Sequence, residues 1–288
     1  MRILFAADEH PYSEYALQVL IKLAMNTWAD VTLLGIHPTG RARPWPGNAV
    51  ISQALQHYRE SFLNSWDKEA SPYEEHQGKY EWVPVKDGLW EEIKVIRGQK
   101  KEFKVHIRIG KPTAGILEES VEEGTDLIVL GCTKGENCAW TGFRSLPRDV
   151  VSNSDCSVLL VKEEQPVRRI LACLDQGYIS QESLEMINQM ITIHGARLEL
   201  VGLSQNGDMN KSVYTRLIEV GDYYSDLKVQ VDTRLTEVAD FERFISQEVG
   251  QDLLALWAGK KSLLSRFFPR DWVGRFVSKC QTSVLVMR

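Results

Sequence analysis

The stretch Arg2-Ile3-Leu4-Phe5-Ala6-Ala7-Asp8 has an echo 167 residues on, Arg169-Ile170-Leu171-Ala172-Cys173-Leu174-Asp175. Each is a short apolar run that ends on an acid. Working outward, Asp126-Leu127-Ile128-Val129-Leu130 returns as Asp252-Leu253-Leu254-Ala255-Leu256, and Val158-Leu159-Leu160-Val161 as Val284-Leu285-Val286-Met287, both 126 residues on. The second part of each copy therefore aligns without a gap, and the first copy carries about 41 extra residues in its middle. The two copies meet at Lys162-Glu163-Glu164-Gln165-Pro166, a charged, proline-containing stretch suited to a short exposed connection. Domains over 1–164 and 165–288 follow from that boundary.

The apolar runs are near-continuous rather than alternating, as parallel strands covered on both faces require. Between them lie helical patterns. In the first copy the reading is strand 2–7, helix 13–27, strand 30–37, helix 48–69, strand 103–109, helix 112–123, strand 126–131, helix 145–153 and strand 156–161, and the second copy repeats that order. This is an α/β chain of two tandem doubly wound domains, each an open five-stranded parallel sheet flanked by helices and Rossmann-like in its winding. The extra residues centre on 71–104, where Pro72, Gly78, Pro84, Gly88 and Gly98 punctuate Tyr73, Tyr80, Trp82, Trp90 and Phe103. Turns and a β-hairpin are expected there, either as a docking surface or as a flap packed on its own domain.

Composition narrows the function classes. With 288 residues, 43% hydrophobic, 25% charged and a net charge of −5, the chain is an ordinary globular protein without the basic surface that non-specific nucleic-acid binding needs. The apolar run after Met1 meets Asp8 and Glu9 too soon for a signal segment, and no run is long enough to span a membrane. Five scattered cysteines without a Cys-x-x-Cys pair point to no disulfide framework and no zinc ribbon. A cytoplasmic protein is the expectation.

In an open parallel sheet, ligands lie beyond the carboxyl ends of the strands, so Asp8 and the loop after Leu130 share one rim. That loop reads Gly131-Cys132-Thr133-Lys134-Gly135 and runs on to Arg144-Ser145-Leu146-Pro147. Glycines there let backbone amides approach phosphate oxygens, and a following helix start, with Ser145 as its cap, adds partial positive charge. Taken with Ser13-Glu14-Tyr15-Ala16-Leu17, Gly110-Lys111-Pro112 and the closing Val158-Leu159-Leu160-Val161, these motifs resemble the universal stress protein family over most of 1–161.

The resemblance implies the adenine nucleotide alpha-hydrolase-like fold, a tandem stress-response protein acting as a binding or regulatory module, and ATP with Mg bound in the first domain. The family's ATP-binding signature is Gly-x2-Gly-x9-Gly-(Ser/Thr), with an aspartate at the end of the first strand. Asp8, Gly131 and Ser145 match it. Gly135 falls one residue late, and Arg144 stands where the last glycine should be. The implied nucleotide-binding set is Ala7, Asp8, Gly131, Thr133, Lys134, Gly135, Arg144 and Ser145. In the second copy Trp257, Lys261 and Asp271 stand for Gly131, Gly135 and Ser145, which leaves that domain without a cofactor. Family domains pair through their final strands, so Val158–Val161 and Val284–Met287 offer a pseudo-dimer within one chain, with a homodimer of whole chains a further option.

No Gly-x-Ser-x-Gly elbow or His-Glu-x-x-His pair is present, and Gly259-Lys260-Lys261-Ser262 fails the P-loop pattern. His10 and Cys132 are noted for their place on the rim, Cys132 as a thiol. Three readings stay open: a nucleotide-dependent, non-enzymatic module; a nucleotide-free scaffold that meets a protein partner through 71–104; and a slow ATP hydrolase.

Overall fold

The computed structural model describes residues 1–37, 50–67, 71–73, 79–86, 89–95, 101–133, 140, 146–162, 166–174, 179–204, 211–250, 252–258 and 272–288, with the backbone alone for 79–86, 89–95, 238, 247, 248, 272, 275, 278 and 279. In the N-terminal half the elements are β1 (Arg2–Ala7), α1 (Pro11–Thr27), β2 (Asp30–His37), α2 (Val50–Asn64), β3 (Lys79–Lys86), β4 (Leu89–Val95) and β5 (Phe103–Ile109). They are followed by α3 (Pro112–Glu122), β6 (Leu127–Cys132), α4 (Leu146–Asn153) and β7 (Ser157–Lys162). The C-terminal half comprises β8 (Arg169–Leu174), α5 (Gln181–His194), β9 (Arg197–Ser204), α6 (Lys211–Asp226), β10 (Val231–Glu237), α7 (Phe241–Glu248), β11 (Asp252–Trp257), α8 (Trp272–Lys279) and β12 (Ser283–Met287).

Ten strands form one sheet in the order β10-β9-β8-β11-β12-β7-β6-β1-β2-β5. Each half contributes five parallel strands, as the apolar runs require. Ile3 to Ala7 and Leu127 to Leu130 are at most 1% exposed because helices cover both faces. One face packs against α1, α2, α5 and α6, the other against α3, α4, α7 and α8. Each Leu or Val removed from water in this way contributes roughly 1.5–3 kcal/mol.

The halves meet through their last strands. β7 and β12 pair antiparallel, Val158 opposite Val286 and Leu160 opposite Val284, so the sheet runs unbroken across the seam. On one face α4 crosses α8 at Gly274, where a Cβ would lie 2.6 Å from Arg148 Cγ and Ser152 Oγ. On the other, α1 meets α5. Because the seam is antiparallel, the carboxyl rims of the two halves point in opposite directions.

Within the 71–104 insertion, β3 and β4 form an antiparallel hairpin with a register shift at Pro84 to Lys86, where proline interrupts the ladder. Its ends are tied to the N-terminal half. Tyr73 donates to the Ala29 carbonyl at 2.5 Å and packs edge-on to Phe62 and Trp66, while Phe103 stacks on Phe62 at 4.7 Å.

Candidate functional site

In the N-terminal half the chain winds from β1 to β2 and β5 on one side, then returns to place β6 and β7 on the other. The switch point is therefore the crevice between the carboxyl ends of β1 and β6. Ala7 ends β1, Asp8 follows it, and Gly131 and Thr133 lie at the end of β6, so these four members of the expected set share the crevice. Lys134, Gly135, Arg144 and Ser145 lie outside the described residues, as do Asp175, Lys261 and Asp271 of the second copy.

Only three residues separate β1 from α1, and they hold Asp8 tightly. Its Oδ1 accepts from the Ser13 hydroxyl at 2.9 Å and from the His10 amide at 3.2 Å, and its Oδ2 accepts from the Tyr12 hydroxyl. The Asp8 amide donates to Ser13 Oγ, and Tyr58 of α2 donates to the Asp8 carbonyl at 2.8 Å. Charged acceptors make such bonds short and strong, so the carboxylate is fixed before any ligand arrives. The Tyr58 hydroxyl is held well above its ordinary pKa, first by burial and then by the nearby Asp8 charge, so it stays a donor. His10 Nδ1 lies 3.2 Å from Asp8 Oδ2 without hydrogen-bond geometry, while its ring stacks on Tyr12 at 5.5 Å.

Tyr12 and Ser13 are what the sequence reading missed. Expected to start at residue 13, α1 starts at Pro11, a residue suited to the first helical position because its missing N–H would have had no partner there. Those two extra residues bring the Tyr12 hydroxyl to Asp8.

Gly131 also has a reason that the loop pattern did not reveal. A Cβ on it would sit 2.3 Å from the Tyr12 carbonyl oxygen and 3.0 Å from the Ser13 amide nitrogen. The absent side chain is space used by the first turn of α1, and the glycine's φ is not positive. In the C-terminal half Trp257 occupies this position and is 3% exposed. There, six residues instead of three separate β8 from α5. Ser180 caps α5 by accepting from the Ser183 amide. The crevice of the second half thus holds a side chain where the first leaves backbone.

Two expectations on the rim change. Cys132 is fully buried and disulfide-bonded, not a thiol, whereas Cys156, Cys173 and Cys280 form no disulfide. The remaining cysteine, Cys138, lies outside the described residues. Second, Lys162, expected in the exposed connection, is the last residue of β7 and 2% exposed, with its ammonium donating to the Thr133 carbonyl at 3.3 Å.

Elsewhere, His106, Glu119 and Glu123 come close enough to hold a cation. Their carboxylates are already taken, Glu119 by His106 and Arg108 and Glu123 by Lys104 at 2.8 Å. Burial opposes ionisation of Glu119, but the bonds from His106 and Arg108 outweigh it and hold the group below the usual carboxylate range. This cluster clamps α3 onto the edge strand β5. A cavity of about 880 Å³ lies at the seam between the start of α5 and the amino ends of β6 and β7, away from Asp8. Among the described residues no helix is long and apolar enough to cross a membrane.

The fold and this crevice can be set beside known proteins. No curated protein matches the sequence. A universal stress protein from Archaeoglobus fulgidus DSM 4304 matches with a TM-score of 0.58 at 14% identity, over 100% of this chain and 96% of that one. A putative universal stress protein from Pseudomonas aeruginosa UCBPP-PA14 gives a TM-score of 0.57 at 14% identity, over 100% and 93%. The cytoplasmic domain of a prokaryotic cation chloride cotransporter also matches, with a TM-score of 0.51 at 11% identity over 99% and 94%. At such identities these likenesses speak for the fold. The universal stress protein family model itself matches residues 1–162. With more than half of its length so matched, the chain belongs to the universal stress protein family.

Proposed function

We propose that the chain is a tandem stress-response protein of the cytoplasm, a binding module whose N-terminal half takes an adenine nucleotide, as ATP with Mg, and whose C-terminal half takes none. The observation that carries this reading is Asp8, a carboxylate fixed by Tyr12, Ser13 and the His10 amide at the switch point beside Gly131. A preformed acceptor at the end of the first strand suits the hydroxyls or amino group of a nucleoside, since the cost of orienting it is met before binding. Ala7, Thr133, Lys134, Gly135, Arg144 and Ser145 complete the proposed site, the loop residues supplying amides, a hydroxyl and positive charge to phosphate. In the second half, the buried Trp257 at the equivalent of Gly131 supports loss of the site. The reading assigns no general base or reacting nucleophile, so the module signals by occupancy.

The test is calorimetry with ATP and Mg on the whole chain, with native mass spectrometry for nucleotide carried through purification. Asp8→Ala should weaken binding by about tenfold or more, the loss expected for one charged hydrogen-bonding group. Failure of the wild-type chain to bind millimolar ATP would remove the reading and leave the nucleotide-free scaffold. Steady phosphate release that Asp8→Ala abolishes would establish hydrolysis instead.

A further inference from the structure

Lys162 is charged, sits at the end of a central strand, and is as buried as the core around it. An ammonium withdrawn from water is costly unless its surroundings use the charge. Its neighbours place it at the nucleotide rim. Lys162 pairs with Cys132 across β7 and β6, its ammonium donates to Thr133 in the same turn, and its own amide donates to Ser283 Oγ across the seam. The Lys162 side chain falls on the α4 side of the sheet, because Val161, its neighbour on β7, belongs to the opposite face.

The repeat supplies a comparison. Arg288 follows β12 as Lys162 closes β7, yet its guanidinium crosses to the other half and donates to the Val151 carbonyl at 2.5 Å. Lys162 instead addresses the turn of its own half. Symmetry thus gives both copies a cation at this register, and only the first directs it at a loop suited to phosphate.

Distance then separates its role from that of Asp8. β1, β6 and β7 are successive neighbours, so Lys162 stands two strand spacings from Asp8, about 10 Å. A nucleoside anchored at Asp8 and extended along the rim comes near Lys162 with its outer phosphates, not with the one attached to the ribose. We propose that Lys162 is the specificity-determining residue that makes this site count phosphates, favouring nucleoside di- and triphosphates over monophosphates. It does so by holding the Thr133 carbonyl inward and by placing a weakly screened positive charge beneath the turn. This rests on the nucleotide-binding reading above.

The experiment measures ATP, ADP and AMP affinities by calorimetry on the whole chain and on Lys162→Met, Lys162→Gln and Lys162→Arg, each checked for a cooperative unfolding transition. Wild type should prefer ATP to AMP. Lys162→Met should weaken ATP by about tenfold and AMP by less than about twofold, with Lys162→Arg retaining most of the preference. If Met fails to fold, Gln carries the comparison. Equal losses for ATP and AMP would show a structural role and overturn the inference, as would unchanged ATP affinity in folded Met or Gln variants. A wild-type chain that binds ATP and AMP alike overturns the inference but not the nucleotide reading, and one that binds neither removes both.

Discussion

Replacing Gly131 with alanine tests how the crevice is built. The new methyl would lie 2.3 Å from the Tyr12 carbonyl oxygen, 2.7 Å from its carbon and 3.0 Å from the Ser13 amide nitrogen, all backbone atoms that no rotamer change can move aside. The first turn of α1 must therefore retreat by about 0.7 Å before the closest contact reaches 3.0 Å. Overpacking of this kind costs about 1–3 kcal/mol, and a backbone obstacle puts the site at the upper end. Tyr12 and Ser13 retreat with their hydroxyls, which stretches two bonds to the Asp8 carboxylate, so nucleotide binding should fall together with stability. Urea denaturation should show a loss of about 2–3 kcal/mol. Three residues inserted between Glu9 and Pro11 copy the longer connection that accommodates Trp257 in the other half and should recover part of it. A Gly131→Ala chain within about 0.5 kcal/mol of wild type, the range of an ordinary surface substitution, would refute the argument that α1 occupies this space.

Other perturbations separate equivalent residues of the two halves. Arg169 grips Asp252 through two bonds of 3.0 and 2.9 Å and Glu199 through one of 2.7 Å, so Arg169→Met leaves Asp252 buried without its cation and should cost about 3–5 kcal/mol. The equivalent Arg2 is exposed and, among the described residues, its side chain reaches the Glu123 carbonyl at 3.4 Å, so Arg2→Met should change urea stability by less than about 0.5 kcal/mol, and similar losses at the two sites would contradict the assignment. His194, at the end of α5, has its pKa pushed down to about 4 by burial and then by Lys22. Its unfolded value is about 6.5, so the unfolded chain takes up the proton first. That part of the stability is complete above pH 6.5 and is lost as the pH falls towards 4, a drop of roughly 2–3 kcal/mol. His194→Gln should flatten the denaturation profile through that window; an unchanged slope would mean that the imidazole is not desolvated.

The strands were legible because a strand covered on both faces has no position for a polar residue, and the runs at 2–7 and 126–131 state this directly. The hairpin in the insertion was legible from its prolines and glycines. Gly131 stood out through the loop pattern, but the contact that forbids a side chain there, with the Tyr12 carbonyl, depends on where α1 begins. Pro11 marked the start of α1 and with it the role of Tyr12, a signal that apolar spacing alone passes over because the first turn need not follow the stripe. The burial of Lys162 could not be read, since it depends on contacts between strands distant in sequence.

The antiparallel seam explains why the two halves were free to diverge. Pairing β7 with β12 in opposite directions sets the carboxyl rim of one half beside the amino rim of the other, so the two crevices never face each other and cannot share one ligand. Filling the second crevice with Trp257 therefore takes nothing from the first, while the seam still needs both final strands and the close crossing at Gly274. The sheet uses the final strands of both halves, whereas the proposed ligand rim uses one half alone. The same geometry carries a route from the site to the second half, because Lys162 donates its ammonium to the Thr133 turn and its amide to Ser283 across the seam. In the proposed site, a phosphate near the ammonium would therefore act on a residue whose own amide is anchored to Ser283 of the C-terminal half.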